Sequence, residues 1–385
     1  MIYLDNAAST SIHHDVLESM MPYLKEQYGN PSSIHKYGRL AQKAIEKARK
    51  QVALLINADP TEILFTSGGT ESNNTALCGV AKKYPKSRII TSSIEHDAIL
   101  EPCKKLELEG FDVIYLPVDN HGFINPPILK NNLSENTSLV SIMLANNEVG
   151  TIESISEFVS VCKEKKIVFH SDAVQAAGKI PIDVKELGLD LLSISSHKIN
   201  GPKGVGALFI KNELSIDPII LGGGQERGIR SGTENVANIV GFGKACELAR
   251  INLLENISKM KNLRDYLSKK IIQEIPKVTL NGHPQNRLPN NLHLTFLGVN
   301  GEDLLIKLDE NGIAASTGSA CSVQIQKASH VLQAMGFSHE QITGSLRLTI
   351  GINNNLEEMD KTVEILKNVV KELRSVSPFK EKYSF

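Results

Sequence analysis

From about residue 38 to residue 250, helical patterns alternate with short apolar runs that end in polar residues. In the first helical pattern, apolar side chains recur at the spacing of an amphipathic helix, at Leu40, Ala44, Ala48, Val52 and Leu55. The short runs are EILFTSGG, RIITSSIEH, FDVIYLPVD, SLVSIMLANNE, IVFHSDAVQ and LLSISSHK. This alternation predicts βαβ units, and therefore an α/β fold with a mostly parallel central sheet. Because ligands bind beyond the carboxyl ends of such strands, each polar end is a candidate site element.

After about residue 250 the pattern changes to that of an α+β layer. A long helix through Leu253, Leu263 and Ile271 is followed by the strand-like pieces KVTLNG and NLHLTFLGV. Helix GEDLLIKLDENG, loop STGSACS, strand SLRLTI and a last helix complete the chain. We therefore predict a large domain over residues 13–250 and a smaller α+β domain made of residues 1–12 and 251–385. The smaller domain carries the loop with Cys321, and the two domains share a cleft.

The composition excludes several classes of protein. A net charge of −1 and a pI of about 6.8 give no electrostatic reason to bind nucleic acid or an anionic membrane. No apolar run approaches the ~20 residues of a membrane span, and MIYLDNAAST lacks the basic and apolar regions of a secretory signal. Five scattered cysteines without a CxxC pair argue against disulfides and against a zinc site. We expect no metal and a reducing, cytoplasmic location.

Lys198 is the most unusual cation in the sequence. It lies in SSHKINGPKG, where it follows the apolar strand LLSIS. Burial disfavours the charged form of an amine, which makes the amine a better nucleophile and base. Such a lysine suits a Schiff base with a carbonyl compound. The alternative is a solvated surface charge, the ordinary role of a lysine.

Asp172 ends the strand IVFHSD, and Gln175 follows in the same segment, HSDAVQAAG. An aspartate at such a strand end can bind a metal, cap a helix, or pair with the protonated ring nitrogen of pyridoxal phosphate (PLP). Capping is the default interpretation when the segment is taken alone. The PLP pairing would keep the ring positively charged, as an electron sink for a carbanion. Gln175 would then donate to the phenolic oxygen of the ring.

Two further strand ends are candidate cofactor contacts. In TSGGTESNN, glycines between a strand and a helix let backbone N–H groups approach a phosphate, and Thr70 adds a hydroxyl. The segment lacks both the GK[ST] of a nucleotide-binding loop and the GxGxxG dinucleotide pattern, and an ordinary turn is the alternative. His96, in SSIEHDA, has either a structural role or a role in stacking on a planar cofactor.

In this order, these segments resemble the fold-type I PLP-dependent enzymes, and among them the NifS/IscS-like cysteine desulfurases of the class V aminotransferase family. The resemblance runs nearly end to end. It is carried by YLDNAAST, GNPSSIHKYGR, FTSGGTESNN, IEH, NNEVGTI, SDAVQ, SSHKINGPKG, GGGQERGIRSGTEN, RLPNNL, STGSACS and SLRLTIG. It implies a PLP cofactor and a large and a small domain.

The resemblance also implies a role for each matching residue. Lys198 binds PLP as a Schiff base, His96 stacks on the ring, and Asp172 pairs with the ring nitrogen. Beyond these, it implies phosphate contacts at Gly69, Thr70, Ser195 and His197, a phenolate contact at Gln175, a cofactor and substrate contact at Asn147, a phosphate contact from the neighbouring subunit of a homodimer at Thr233, and a substrate carboxylate contact at Arg347. A planar guanidinium suits a carboxylate, although a surface arginine is the structural alternative for Arg347.

Cys321, in the small-residue segment STGSACS, indicates the reaction type. A thiolate on a loop can enter a site, attack sulfur and carry it away. The resemblance therefore implies removal of sulfur from L-cysteine as a persulfide on catalytic Cys321, with catalytic Lys198 and His96. An iron–sulfur scaffold protein or a tRNA-thiolation enzyme would accept the sulfur, without direct binding of nucleic acid or membrane. The alternatives are a selenocysteine lyase, an aminotransferase of the same fold, and a non-catalytic sulfur-carrier partner.

The sequence departs from the family pattern in three places. Lys327 and Ala328 precede Ser329 and His330 where relatives commonly have Glu-Pro. Gly69 stands where alanine is common, which we expect to be harmless in a phosphate turn. The segment after Ser377 is shorter than the tail that some relatives use to dock the scaffold protein, so the identity of the sulfur acceptor is open.

Overall fold

A computed structural model describes residues 1–317, 328–377 and 380–383 of the chain. Within these residues the chain forms twelve strands. In chain order they are β1 (Ile2–Tyr3), β2 (Ile63–Thr66), β3 (Arg88–Ser92), β4 (Asp112–Leu116), β5 (Thr137–Ser141), β6 (Val168–Asp172), β7 (Leu191–Ser195), β8 (Gly206–Ile210), β9 (Val278–Leu280), β10 (Asn291–Phe296), β11 (Ile313–Ala314) and β12 (Ser345–Thr349).

Helices occupy most of the intervals between the strands. They are α1 (His14–Lys25), α2 (Lys36–Leu55), α3 (Gly69–Ala81), α4 (Asp97–Leu108), α5 (Pro126–Asn132), α6 (Ile155–Glu164), α7 (Val184–Leu187), α8 (Val236–Ile251), α9 (Leu253–Glu274), α10 (Gly301–Glu310), α11 (His330–Ala334), α12 (His339–Thr343), α13 (Leu356–Val376) and α14 (Lys380–Tyr383). Short 3₁₀ turns cover Pro60–Glu62, Ser196–Lys198 and Glu226–Gly228. None of the helices in the described part of the chain has the length and apolarity that crossing a membrane requires.

A seven-stranded sheet forms the centre of the fold, in the order β2-β8-β7-β6-β5-β3-β4. Strands β3 to β7 pair in parallel, whereas β8 is antiparallel to both β2 and β7. Every residue of β5, β6 and β7 is buried, as expected of parallel strands that are covered on both faces. The predicted α/β class with a mostly parallel sheet is therefore confirmed. Strand β8 was missing from the sequence-based prediction.

A second set of strands lies towards the C-terminal part of the chain. Strands β12, β10 and β9 form an antiparallel sheet, and β1 pairs in parallel with β11. Their apolar side chains pack with those of α9, α10 and α13 in a cluster that also includes Ile2 and Leu4. This cluster is separate from those that cover the seven-stranded sheet. The separation supports the proposed division into residues 13–250 and residues 1–12 with 251–385, which stays a prediction.

The N-terminal segment runs from one sheet to the other. Asp5 forms a backbone bridge with Thr349 in β12. A few residues later, the N–H of Thr10 donates to the carbonyl of His197, beyond the end of β7, over 3.0 Å. Residues 5–10 therefore lie against the carboxyl edge of the large sheet, where the candidate site residues are found.

Candidate active site

The carboxyl ends of four adjacent strands bring the predicted site residues to one edge of the sheet. His96 follows β3, Asn147 follows β5, Asp172 ends β6 and Lys198 follows β7. These strands are neighbours in the order β7-β6-β5-β3. Because parallel strands present their carboxyl ends on the same side, segments far apart in sequence meet there.

Lys198 closes the 3₁₀ turn after β7, and backbone carbonyls hold its amine. Nζ donates to the oxygen of Ala7 over 2.5 Å and to that of Ala8 over 2.8 Å. The side chain is half-buried, so the interpretation as a solvated surface lysine is wrong. These acceptors could not be predicted from the sequence, because every residue has a backbone carbonyl.

Asp172 is a buried carboxylate with two donors. Asn73 Nδ2 donates to Oδ2 over 2.6 Å, and the N–H of Val174 donates to Oδ1 over 2.8 Å. The second bond is of the capping type, although a turn and not a helix follows Asp172. The two bonds fix the orientation of the carboxylate. Asn73, on α3, is a site residue that sequence reasoning missed.

Glu95 is a second buried carboxyl group at this edge. Its Oε1 accepts from Ser92 Oγ over 2.7 Å and from the N–H of Met143 over 2.8 Å. Burial, as the largest cause, raises the pKa of Glu95 to about 8, with a smaller rise from the charge of Asp172. Near neutral pH, Glu95 is therefore largely uncharged.

His96 is the N-cap residue of α4. Its Nδ1 accepts from the N–H of Ala98 over 3.0 Å. A neutral imidazole with an accepting Nδ1 has its proton on Nε2, so the remaining ring nitrogen is a donor. The half-buried ring of His96 therefore has a structural role as the cap of α4, at the edge where the other site residues lie.

The turn between β2 and α3 is built for close approach of the backbone. Gly68 has φ +155°, a conformation that favours glycine. A Cβ on Gly69 would lie 2.7 Å from Val174 Cγ2. The alanine common in relatives would therefore force Val174 to move, so glycine is not merely harmless at this position. Thr70, exposed in the first turn of α3, adds a hydroxyl beside N–H groups that have no acceptor within the helix.

His197 and Ser195 lie on the other side of that turn. His197 Nδ1 is 3.3 Å from Ser9 Oγ. Burial first, and then the charges of Lys198, Lys203 and Lys179, lower the pKa of His197 to about 4. His197 is therefore a neutral polar group near neutral pH. Ser195 is buried, and its Oγ has no hydrogen-bond partner among the described residues.

Several buried polar atoms around this edge have no partner within the described residues, among them Asn73 Oδ1, Asn147 Oδ1 and Ser195 Oγ. Buried polar atoms are nearly always hydrogen-bonded, so their grouping indicates the place of a polar ligand. The same edge offers an amine at Lys198 and a carboxylate at Asp172. These are the groups that PLP requires for its aldehyde and its ring nitrogen, so the residues fit PLP.

Arg347, on β12, is almost fully buried, which rules out a surface arginine. One terminal nitrogen donates to the carbonyl of Asn147 over 2.9 Å, and the other pairs with Asp5 Oδ1 at 3.0 Å. Its backbone N–H donates to the carbonyl of Ser316 over 2.6 Å. A guanidinium from the small sheet is thus placed beside Asn147, and Asp5 is a partner that sequence reasoning missed.

Cys321 lies outside the described residues, but the segments on either side of it reach the site. Thr317 directly follows Ser316, which pairs with Arg347. On the other side, Ser329 Oγ donates to Glu148 Oε2 over 2.5 Å, next to Asn147. The described residues on either side of Cys321, Ser316 and Ser329, therefore contact the site through Arg347 and Glu148.

Gln175 and Thr233 are the two remaining predicted cofactor contacts: the side chain of Gln175 already makes a hydrogen bond within the chain, and that of Thr233 is exposed. Gln175 Nε2 donates to the carbonyl of Ala7 over 2.9 Å, which leaves one amide hydrogen for a phenolic oxygen. Thr233 is exposed and lines a pocket of about 180 Å³ together with Ser67 and Gly204. In the described part of the chain, no three His, Cys, Asp or Glu side chains are grouped as a metal site would require.

Comparison with known proteins agrees with this geometry. The family model described as aminotransferase class-V matches residues 2–362. The cysteine desulfurase IscS of Dictyoglomus turgidum is 50% identical over 384 residues, which cover 99% of this chain and 98% of the relative. The chain belongs to the cysteine desulfurase family. Its cofactor is PLP, as in other class V aminotransferases.

Solved structures support the same family. A NifS-like protein is 40% identical with a TM-score of 0.91, over 97% of this chain and 100% of that protein. The structure of SspA in complex with cysteine is 37% identical with a TM-score of 0.82, over 91% of this chain and 99% of that protein. The fold-type I architecture expected of the family is therefore confirmed.

Proposed function

We propose that this family member removes sulfur from L-cysteine, releases L-alanine and holds the sulfur as a persulfide on Cys321. One observation carries the proposal: the buried guanidinium of Arg347, which could bind a carboxylate, contacts Asn147 at the carboxyl edge of the large sheet. Arg347 also pairs with Ser316, in a segment that flanks Cys321. The relatives agree with the proposal, since the Dictyoglomus turgidum protein is a cysteine desulfurase and the SspA structure contains cysteine.

Lys198 and Asp172 would hold the reactive parts of PLP. Lys198 Nζ would bind the aldehyde in exchange for its hydrogen bonds to Ala7 and Ala8, and Asp172 would pair with the ring nitrogen. The phosphate would lie at the α3 turn, held by Gly69, Thr70, Ser195 and His197, with Gln175 at the phenolic oxygen. When bound, PLP supplies an electron-accepting ring that stabilises negative charge on the substrate α-carbon.

Arg347 and Asn147 would bind the amino acid. A guanidinium that holds one backbone carbonyl and one carboxylate can turn its two terminal nitrogens to a substrate carboxylate. Lys198 Nζ would then take the proton from the α-carbon. His96 would stack on the ring and carry a proton to or from the thiol of the substrate.

Sulfur transfer follows as attack by the Cys321 thiolate on the sulfur of the substrate. The new S–S bond forms as the Cβ–S bond of cysteine breaks, and the electron pair of that bond goes to Cβ. Cβ then takes up a proton to become the methyl group of alanine. The products, L-alanine and one persulfide, balance L-cysteine and one protein thiol.

We also propose a homodimer in which Thr233 reaches the phosphate bound by the neighbouring subunit. Tyr28, Ile34 and Leu221 are exposed large apolar side chains of the kind that a subunit interface would cover. A reducing, cytoplasmic location is supported by the four described cysteines, all of which are free thiols. The sulfur acceptor would be an iron–sulfur scaffold protein or a tRNA-thiolation enzyme.

The function is tested by product analysis with purified protein. With L-cysteine and a thiol reductant, we expect equal amounts of L-alanine and sulfide without any keto acid. Without reductant, alanine should stop at about one equivalent per site, because the persulfide stays on Cys321. Alanine formation that needs a keto acid would indicate an aminotransferase, and turnover of selenocysteine alone would indicate a selenocysteine lyase. Either result would contradict the proposal.

Arg347→Gln should lower kcat/KM for L-cysteine by about 100-fold or more, because it removes the guanidinium that would bind the substrate carboxylate, and truncation of one partner of a buried charge pair costs about 2–5 kcal/mol. Steady-state alanine formation measures the effect, and the PLP spectrum should stay unchanged. The matched variant is Asp5→Asn, which keeps the guanidinium and should lose less than about 10-fold. An unchanged kcat/KM for Arg347→Gln would remove Arg347 from the substrate site.

A further inference from the structure

Helix α11 carries side chains that the proposed reaction does not use. Its buried apolar residues pack with apolar residues that follow β3 and β5 of the large sheet, apart from the cluster around α9, α10 and α13. This smaller cluster contains Val331, Leu332 and Met335 together with Ile94, Met143 and Val149. Helix α11, which we assign to the smaller domain, therefore packs against the two segments that contain His96 and Asn147.

Ser329, the N-cap residue of α11, connects the helix to the segment of Asn147. The hydroxyl of Ser329 accepts from the N–H of Leu332 over 3.1 Å and donates to Glu148 Oε2 over 2.5 Å. Both Ser329 and Glu148 are buried, with exposed fractions of 5% and 2%. Loss of a hydrogen bond between buried groups is costly, because water does not replace it. Ser329 thereby fixes the residue that directly follows Asn147.

His330, the first residue of α11, makes a corresponding contact with the segment of His96. Its Nε2 lies 2.9 Å from the backbone carbonyl of Glu95. Because a carbonyl oxygen only accepts, Nε2 carries the proton and donates it to this bond. Glu95 directly precedes His96 in the chain. Two consecutive residues, Ser329 and His330, thus hold the chain neighbours of two predicted site residues.

Asn146 joins the two held segments to each other. Its buried side chain donates through Nδ2 to the carbonyl of Ile94 over 3.0 Å. Its Oδ1 accepts from the N–H groups of Glu148 and Val149, each over 2.9 Å. The two segments and the start of α11 therefore form one hydrogen-bonded unit.

We propose that Ser329 and His330 are positioning residues that hold Asn147 and His96 at the spacing that the bound cofactor and substrate require. They act through the chain neighbours of those two residues. Misplacement of a contacting group by about 1 Å can lower a rate by about 100-fold, so fixed anchor points at this edge affect the reaction. The inference rests on the proposed function, because that function gives His96 and Asn147 their roles.

The test compares substitutions that remove each donor with substitutions that keep it. Ser329→Ala and His330→Ala should each lower kcat/KM for L-cysteine by about 10-fold, because the site residues lose an anchor. Ser329→Thr keeps the hydroxyl and His330→Gln keeps an N–H donor, so both should stay within about threefold of the parent protein. Steady-state formation of alanine by the PLP-loaded protein measures these effects.

A second measurement needs neither cofactor nor substrate. In the apoprotein, we expect hydrogen–deuterium exchange of peptides with residues 94–98 and 146–149 to become about threefold faster or more in the two alanine variants. The amides of Ala98, Glu148 and Val149 lie in these peptides, and their acceptors are the side chains of His96 and Asn146. Faster exchange there would show that α11 holds both segments before any ligand binds.

Ser338→Ala is the matched control. Ser338 is the exposed N-cap residue of α12, and its hydrogen bonds stay within that helix. Its substitution removes a helix cap of the same kind, so kcat/KM and the exchange of both peptides should equal those of the parent protein.

An unchanged kcat/KM in both Ser329→Ala and His330→Ala would overturn the inference. An equal loss in Ser338→Ala, or in the variants that keep a donor, would also overturn it, because it would indicate general destabilisation. Failure of the parent protein to form alanine from L-cysteine would instead contradict the proposed function. The exchange measurement on the apoprotein would still decide whether α11 holds the two segments.

Discussion

Lys198→Ala should lower alanine formation from L-cysteine by about 10⁴-fold, the upper end of what loss of one general base costs. The variant lacks both the amine that binds the PLP aldehyde and the base that takes the α-proton. The Ala7 carbonyl would keep its hydrogen bond from Gln175 Nε2, whereas the Ala8 carbonyl would lose the bond from Lys198 Nζ. Borohydride reduction followed by mass spectrometry of peptides should show PLP on residue 198 in the parent protein and none in the variant.

Lys203→Ala is the matched control for that experiment. Lys203 lies on the same loop but is exposed, so its loss should leave the covalent attachment of PLP intact. Attachment of PLP to another lysine of the parent protein would contradict the assignment of Lys198. Full activity of Lys198→Ala would contradict it as well.

Cys321→Ala should abolish persulfide formation while the PLP spectrum stays that of the parent protein. The physical reason is that a thiolate, and not a thiol, attacks sulfur. Burial raises the pKa of Cys162 to about 12 and also raises the pKa values of Cys78, Cys103 and Cys246. These four thiols are therefore poor nucleophiles near neutral pH. Mass spectrometry after a single addition of L-cysteine should show a gain of one sulfur atom in the parent protein and no gain in the variant.

Cys78→Ala is the matched control, because Cys78 is the least buried of the four described cysteines. Its persulfide yield and its rate of alanine formation should equal those of the parent protein. A persulfide on Cys78 or on any other cysteine, with normal turnover by Cys321→Ala, would exclude Cys321 as the sulfur acceptor.

The strands and their polar ends could be predicted because the signals are local. Strand β6 is a run of buried residues that ends at Asp172, and β7 is a similar run before Lys198. Parallel strands place such ends together, so a list of strand ends is also a list of site residues. The family resemblance added the role of each residue.

Other parts of the site could not be predicted, because they join distant segments through atoms without a sequence signal. The pair between Asp5 and Arg347 spans 342 positions. The acceptors of Lys198 are backbone carbonyls, and Asn73 faces Asp172 only after α3 packs on the sheet. Glycine is favoured at position 69 because a Cβ there would collide with Val174, and the sequence does not show that these two residues are in contact.

The path of the N-terminal segment has a consequence for synthesis of the protein. Asp5 pairs with Arg347, and its backbone meets Thr349, so Asp5 finds these partners only after β12 has been translated. Contacts between residues so far apart in the sequence form late in folding, because closing a long loop costs conformational entropy. The nascent chain can therefore assemble its large sheet well before it has a complete pocket for an amino acid.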